Sequence, residues 1–313
     1  MPEFPINRYT LRFRVEEPCR LQPVTGSMWR GLLGRELMCM STGERSAPGN
    51  LPGWISRERL YEYFMETPPP PDAPAMRRYP HVPHPYAFAM PVHEEEVKLP
   101  ANAHLDVHIT LFGKANELLN VVILALVRAA AGGLGKLRAR ASLLQVLQLL
   151  PGGETRHIFA PGEKMHRPIP ASPLIPPAPA SAVRVQLLTP LRLQHQGRLM
   201  KPKTFSPQPL LMNLVRRYSM LHLFHGPGEM QADFRALKRD SEKVRLVDAD
   251  LRWRQLSRYS ARQQRSVPLD GLVGSCVLDL SLAPGLWPYL WLGQLTHAGK
   301  GAVFGLGQLR VQI

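Results

Sequence analysis

The chain has 313 residues, enough for two domains of ordinary size. Hydrophobic residues make up 44% of it, which argues for a full core and against global disorder. Lysine and arginine number 39 against 24 acids, a formal charge of +15, and so large an excess favours a polyanionic partner: nucleic acid or an acidic membrane surface.

No run of about 18 apolar residues occurs, so no bilayer-spanning helix is expected. The opening MPEFPINRYTLRF lacks the basic-then-apolar order of a signal peptide, and a cytoplasmic location is the expectation. Cys19, Cys39 and Cys276 are scattered and odd in number. They suit a reducing compartment and give no zinc spacing.

In residues 8–15, Tyr9, Leu11, Phe13 and Val15 alternate with Arg8, Thr10, Arg12 and Arg14. This predicts a half-buried strand with an arginine-lined outer face. Thr25 or Ser27 can then cap a helix. Its stripe is Trp29, Leu32, Leu33, Glu36 and Leu37, with Arg30 and Arg35 off it. Gly31 and Gly34 are poor helix residues, which suggests close packing or the backbone approach of a partner. A second helical piece is predicted near 56–65. The prolines of 67–74 require an extended loop, and 81–88 is extended as well. Residues 105–112 alternate as a strand, and 116–131 are apolar and helix-length. Lys136, Arg138 and Arg140 follow at alternate positions, as on one face of an extended segment.

The proline-rich run 168–180 reads as a semi-rigid linker between domains over 1–167 and 181–313. In the second domain a strand is predicted over 183–191 and a helix over 209–223 that carries Arg216 and Arg217. Further strands are predicted within 244–259 and over 277–282. A short apolar helix over 287–292 and a last strand from Leu309 follow. Each half runs strand, helix, strands, helix, glycine turn, strand. Two tandem α+β domains of the ferredoxin-like (RRM-like) type fit this order, the second with a C-terminal glycine-rich loop. The repeat is one of pattern, without a residue-level period.

That loop sets Gly299, Gly301, Gly305 and Gly307 around Lys300, and His297 lies two residues before Gly299. Glycine lets a backbone come close to a ligand, and successive exposed N–H groups form a concave anion site. The spacing matches neither a P-loop nor a dinucleotide fingerprint. A plain turn before a terminal strand and an anion loop both stay open. Upstream, Arg252, Arg254, Arg258, Arg262 and Arg265 interleave with Trp253 and Tyr259, without an acid from 252 to 265. Arginine grips phosphate in a bidentate way, and aromatics stack on bases, so nucleic-acid contact is favoured over a solvated face. Lys201 and Lys203 repeat the signal more weakly. His104 and His108 lie i, i+4 on a strand with no HExxH or CxxC, so neither a metal nor a cofactor is expected. His81 and His84 flank Pro83, where a histidine is ordinarily a structural hydrogen-bonder. His297 reads as structural or RNA-contacting ahead of catalytic.

The stretch GQLTHAGKGAVFGLGQLRV, residues 293–311, resembles the glycine-rich loop of the CRISPR repeat-RNA (pre-crRNA) processing endoribonucleases of the RAMP superfamily. Further matches lie in RYTLRFRV with TGSMWRGLLGREL, in HPYAF at 84–88 and in AGGLGKLRARASL at 131–143. LLTPLRL at 187–193 and RYSARQQRSVPLDGLVG at 258–274 complete the family's order. The resemblance implies two ferredoxin-like domains side by side, with RNA in a basic groove. It also implies metal-independent cleavage, in which a 2′-OH attacks the adjacent phosphate to leave a 2′,3′-cyclic phosphate and a 5′-OH. Candidate RNA contacts are Arg30, Lys136, Lys201, Lys203, Arg254, Arg258, Arg262 and Arg265, with Gly299, Lys300, Gly301, Gly305 and Gly307. The implied partners are repeat RNA or its crRNA product and other CRISPR effector subunits, without a membrane, for a monomer or homodimer.

The chain departs from the family where many relatives carry a histidine in or just after the first helix. Met28 to Tyr63 contains none, and Cys39 stands alone where some relatives have a cysteine cluster. Cations and hydroxyls are the expected substitutes: Arg30, Arg35 and Arg45, with Tyr61 or Tyr63. The base would then come from His81 or His297 across the groove. The catalytic candidates are accordingly Arg35, Arg45, Tyr61, His81 and His297. A non-catalytic crRNA-binding subunit is the alternative reading. An adaptor at an anionic membrane ranks last, because the best basic segment carries aromatics and breaks at Pro268.

Overall fold

The alternation of the first strand is what the fold is built on. In β1 (Ile6–Val15), Tyr9, Leu11, Phe13 and Val15 are buried while Arg8, Thr10, Arg12 and Arg14 lie on the other face. A computed structural model describes residues 4–68, 82–260 and 265–313. The expected loop over 67–74 and the extended run 81–88 fall partly outside these residues. The chain divides into one unit of Met1–Pro173 with Met220–Gly228 and another of Leu174–Ser219 with Glu229–Ile313.

In the first unit β1 is followed by β2 (Cys19–Leu21), α1 (Thr25–Thr42), β3 (Tyr86–Phe88), β4 (Val97–Leu99) and β5 (His104–Phe112). Then come α2 (Leu119–Ala131), β6 (Ala141–Leu149) and β7 (Thr155–Phe159). The main sheet is ordered β3-β5-β1-β6-β7, antiparallel at every pairing. Without the added β7 this is the ferredoxin-like arrangement, with β1 between β5 and β6. Trp29 of α1 stacks on Phe13, with ring centroids 5.5 Å apart. The arginine face of β1 is partly neutralised, since Arg12 makes a two-pronged pair with Asp106 opposite it.

Local differences have plain causes. Val24, rather than Thr25 or Ser27, precedes α1, and no side chain caps it. The helical piece predicted near 56–65 is a 3-10 turn, Arg57–Arg59, and a π turn, Glu62–Glu66. Lys136, Arg138 and Arg140 do not share a strand face. Gly135 and Arg138 both have positive φ, and a bridge between Leu134 and Ala139 closes a turn around them. The proline-rich segment is tied down locally. Ala171 exchanges hydrogen bonds with Ile6 and Asn7, and Ile169 with Gln148. Further on, Trp291 and Trp287 donate to the carbonyls of Leu174 and Pro176.

The second unit begins with β8 (Val183–Leu191), the short pair β9 (Gln194–His195) and β10 (Arg198–Leu199), and α3 (Pro207–His225), whose residues from Met220 on are counted in the first unit. It continues with α4 (Phe234–Ser241), β11 (Arg245–Arg254), β12 (Ser257–Ser260), β13 (Arg265–Pro268) and β14 (Gly271–Asp279). The last elements are α5 (Trp287–Thr296) and β15 (Leu309–Gln312). Its main sheet, β11-β14-β8-β15, repeats the order of the first. The strand predicted over 277–282 starts instead at Gly271, because pairing with β8 and β11 overrides a run that glycines make unpromising. It ends where the Asp279 carboxylate accepts from the Ser281 N–H. Gly293 lets α5 approach Leu214 of α3 closely, since a Cβ there would lie 2.9 Å from Leu214 Cδ2. Among the described residues no helix is long and apolar enough to cross a membrane.

The two glycines of α1 differ. A Cβ on Gly34 would meet Met65 Cε at 2.7 Å, whereas one on Gly31 would meet nothing within 4 Å. Gly31→Ala is therefore expected to raise stability by about 0.5–1 kcal/mol, as for an exposed helix interior. Chemical denaturation checks this, and a loss of stability would mean that Gly31 has a packing role.

Candidate functional site

In the first unit two of the catalytic candidates, Arg35 and Arg45, meet on one carboxylate. Glu36 lies in the apolar stripe of α1 and is 1% exposed. Arg45 Nη1 donates to its Oε2 at 2.7 Å, and Arg35 Nη2 lies 3.6 Å from Oε1. Both arginine side chains remain nearly half exposed, at 46% and 47%. Local backbone chemistry makes this possible. The helix ends at Gly43 in the left-handed region, and the Arg45 N–H returns to the Cys39 carbonyl at 3.0 Å. That reversal brings Arg45 back beside Glu36.

Tyr61 is half-buried, and its N–H donates to Ser41 Oγ of α1 at 3.0 Å. It immediately precedes the π turn, a rare feature frequent at functional sites. Tyr63 turns away into an aromatic group with Trp54, Phe64 and His225. Burial, helped by Glu117, pushes its phenol up, so it stays protonated. The geometry thus separates two tyrosines that the sequence left as alternatives. Arg30 is half-buried beside Tyr86; burial raises that phenol and the guanidinium offsets part of the rise. Lys136 pairs with Glu96. His81 lies outside the described residues. A separate cleft of about 1010 Å³ in this unit touches Asn7, Lys114, Asn116, His166 and Arg167. The amides of Asn7 and Asn116 are already bonded internally.

The glycine-rich loop corrects an expectation. Its N–H groups do not form an open row. Gly299 N donates to Asn213 Oδ1, Lys300 N to the Arg192 carbonyl, Gly305 N to Ala302 and Gly307 N to Pro190. Gly305 and Gly307 are buried, so neither presents backbone to a ligand. At Gly307, with φ +67°, a Cβ would lie 1.8 Å from the Ala298 carbonyl oxygen. Glycine is needed there for the loop to fold on itself. His297 is corrected as well: at 1% exposure it lies beneath the loop, with Nδ1 3.3 Å from the Ala302 carbonyl. Lys300 is exposed, between the half-buried Gly299 and Gly301.

Of the basic segment, Arg258 sits over the Phe304 ring of this loop, 5.2 Å from its centroid. Lys201 Nζ lies 3.2 Å above the Trp253 ring, so that indole is already faced by a cation. Lys203 is exposed and Arg254 half-buried. Arg262 lies outside the described residues, as does the side chain of Arg265 within β13. Two arginines emerge that the sequence did not single out. Arg192 joins loop and segment: its carbonyl receives Lys300 N, and its Nη1 donates to the Asp270 carbonyl. Arg217 of α3 donates Nε to the Thr296 carbonyl at 2.5 Å, at the end of α5. Burial pulls its guanidinium down to about 10, and no carboxylate among the described residues pairs with it. Only the Arg216-Arg217 doublet marked it in the sequence. Among the described residues no three His, Cys, Asp or Glu side chains form a metal-ligand group.

The family model for the CRISPR-associated endoribonuclease Cas6 matches residues 185–309. The match to the Cas6 model thus covers most of the second unit. Residues 4–171 match a second family model, AF_1859_N, described as an N-terminal domain. Comparison with curated proteins yields no match. Among solved structures, a Cas6 (TTHB231) product complex is 17% identical, with a TM-score of 0.58 over 98% of this chain and 100% of the other. Thermus thermophilus Cas6 (TTHB231) is 16% identical, with a TM-score of 0.52 over 99% of both chains. A partial Cas6-RT-Cas1–Cas2 complex is 12% identical, with a TM-score of 0.56 over 100% of this chain and 47% of that one. At such identities the likeness is one of fold, and it agrees with the two ferredoxin-like units of this chain.

Because Gly307 is required by the loop's own packing, Gly307→Ala is expected to cost about 2 kcal/mol or more of stability. Thermal melting checks this; an unchanged midpoint would show that the loop opens without penalty.

Proposed function

We propose that this protein is a Cas6-type endoribonuclease that cuts CRISPR repeat RNA without metal, by attack of a ribose 2′-OH on the adjacent phosphate. The bond to the 5′ oxygen breaks, leaving a 2′,3′-cyclic phosphate and a 5′-OH. The observation that carries this reading is the pair of half-exposed guanidinium groups, Arg35 and Arg45, on the buried Glu36 carboxylate. An arginine is a poor base near neutral pH, so both are assigned to the charge that develops on the phosphorane. Tyr61 is the hydroxyl assigned beside them, and His81 the remaining candidate base. Alignment of the 2′-OH with the scissile bond supplies much of the remaining rate. Lys201, Lys203, Arg254, Arg258 and Lys300 are assigned to the RNA backbone, with His297 a loop-positioning residue. A Cas6 product complex among the structural neighbours supports retention of the cut RNA.

A second reading, a non-catalytic crRNA-binding subunit, gains from the burial of His297. Cleavage against binding separates the two. The first predicts cutting of repeat RNA in excess EDTA, abolished by a 2′-deoxy sugar at the cut site while the gel shift persists. Arg35→Ala and Arg45→Ala should each slow single-turnover cleavage about 100-fold. If both cut at the wild-type rate, this assignment is wrong. For binding, log affinity should fall linearly with log salt, and Lys201→Ala or Lys300→Ala should flatten that slope by about one. An unchanged slope removes that residue from the interface.

A further inference from the structure

We propose that Glu36 is a positioning residue for cleavage: its buried carboxylate holds Arg45, and more loosely Arg35, in one orientation toward the scissile phosphate. This rests on the cleavage reading above. Glu36 occupies a place in the α1 stripe, among the buried Trp29, Leu33, Leu37 and Met40, where packing alone calls for an apolar side chain. A carboxylate there is unfavourable unless it is paired. The two oxygens are divided, Oε2 to Arg45 at 2.7 Å and Oε1 to Arg35 at 3.6 Å.

A purely structural pair would be expected to bury its cation too. Here both guanidinium groups stay nearly half exposed, at 46% and 47%, while the carboxylate is sealed beneath them. Each guanidinium carries five N–H donors, and Glu36 engages one nitrogen of each at these distances. The remaining donors can meet a phosphate. The Glu44 carboxylate also lies near, at Cys39, so the two cations here face two acids. A side chain already held loses less freedom on meeting its ligand, and a pre-oriented donor is worth most where charge develops in the transition state. The chain reversal at Gly43 and the Arg45 N–H bond to Cys39 serve the same end, since without them Arg45 would not return to Glu36.

The test is a double-mutant cycle in single-turnover cleavage of repeat RNA, with the Kd for uncleavable 2′-deoxy repeat and the melting midpoint read on every variant. Glu36→Gln keeps the shape and removes the charge. It is expected to slow cleavage about 10-fold while Kd stays within about 2-fold. In an Arg45→Ala background the same change should slow cleavage no further, because the carboxylate acts through that arginine. If Glu36→Gln cuts at the wild-type rate, or if the double variant shows the product of the two single losses, the inference is overturned. Should Glu36→Gln melt below the assay temperature, Glu36→Met fills the same space without charge and completes the cycle with the same expected outcomes. Wild-type cleavage by Arg45→Ala would instead overturn the assignment of Arg45, and this inference with it. A slow Arg45→Ala beside a normal Glu36→Gln overturns the role of Glu36 alone.

Discussion

A carboxylate taken out of water must find cations or lose its charge. Glu36 is that carboxylate here, and much of the surrounding backbone makes sense as the means of supplying them. The helix stops at a left-handed glycine, the chain doubles back to the Cys39 carbonyl, and Arg45 arrives beside an acid one full element behind it. The arrangement leaves the acid inside and the bases half outside. It departs from the local rule that a helix stripe is apolar, and such departures concentrate where a protein acts on something else.

The glycine-rich loop has a different physical logic from the one its composition suggests. Glycines commonly free a backbone to approach a ligand. In this loop they let the chain approach itself. Its N–H groups return to Asn213, Arg192, Pro190 and Ala302, and its interior holds a histidine. The result fastens β15 and α5 to the end of β8 and leaves Lys300 as the exposed cation at the tip. Rigidity is useful to a backbone-gripping surface, because a cation on a fixed turn gives up less freedom on binding. Arg192 and Arg217 extend the same idea, each spending hydrogen bonds on carbonyls at the loop's base.

The cations of the second unit are committed in part before any ligand arrives. Lys201 faces an indole and Arg258 a phenyl ring. A cation over a ring keeps most of its charge for a phosphate and is steered by the ring beneath. On Trp253 the lysine covers one face of the indole.

Much of the fold was legible in the chain itself. Period-two alternation in residues 8–15 and 183–191, apolar helix-length runs and a repeated order of elements determined two ferredoxin-like units, because side-chain burial and backbone period are local matters. The strand at Gly271–Asp279 was legible only in part, since its partners on both sides decide it. The same limit applies to the site. The family resemblance pointed to Arg35, Arg45 and Tyr61, with Tyr63 as the alternative to Tyr61 and with His81 or His297 as the base. Tyr63 and His297 prove to be packed inside, and burial belongs to the packed whole. That Glu36 and Arg45 meet, and that loop glycines face inward, depends on where a chain turns back on itself, and tertiary structure alone decides that.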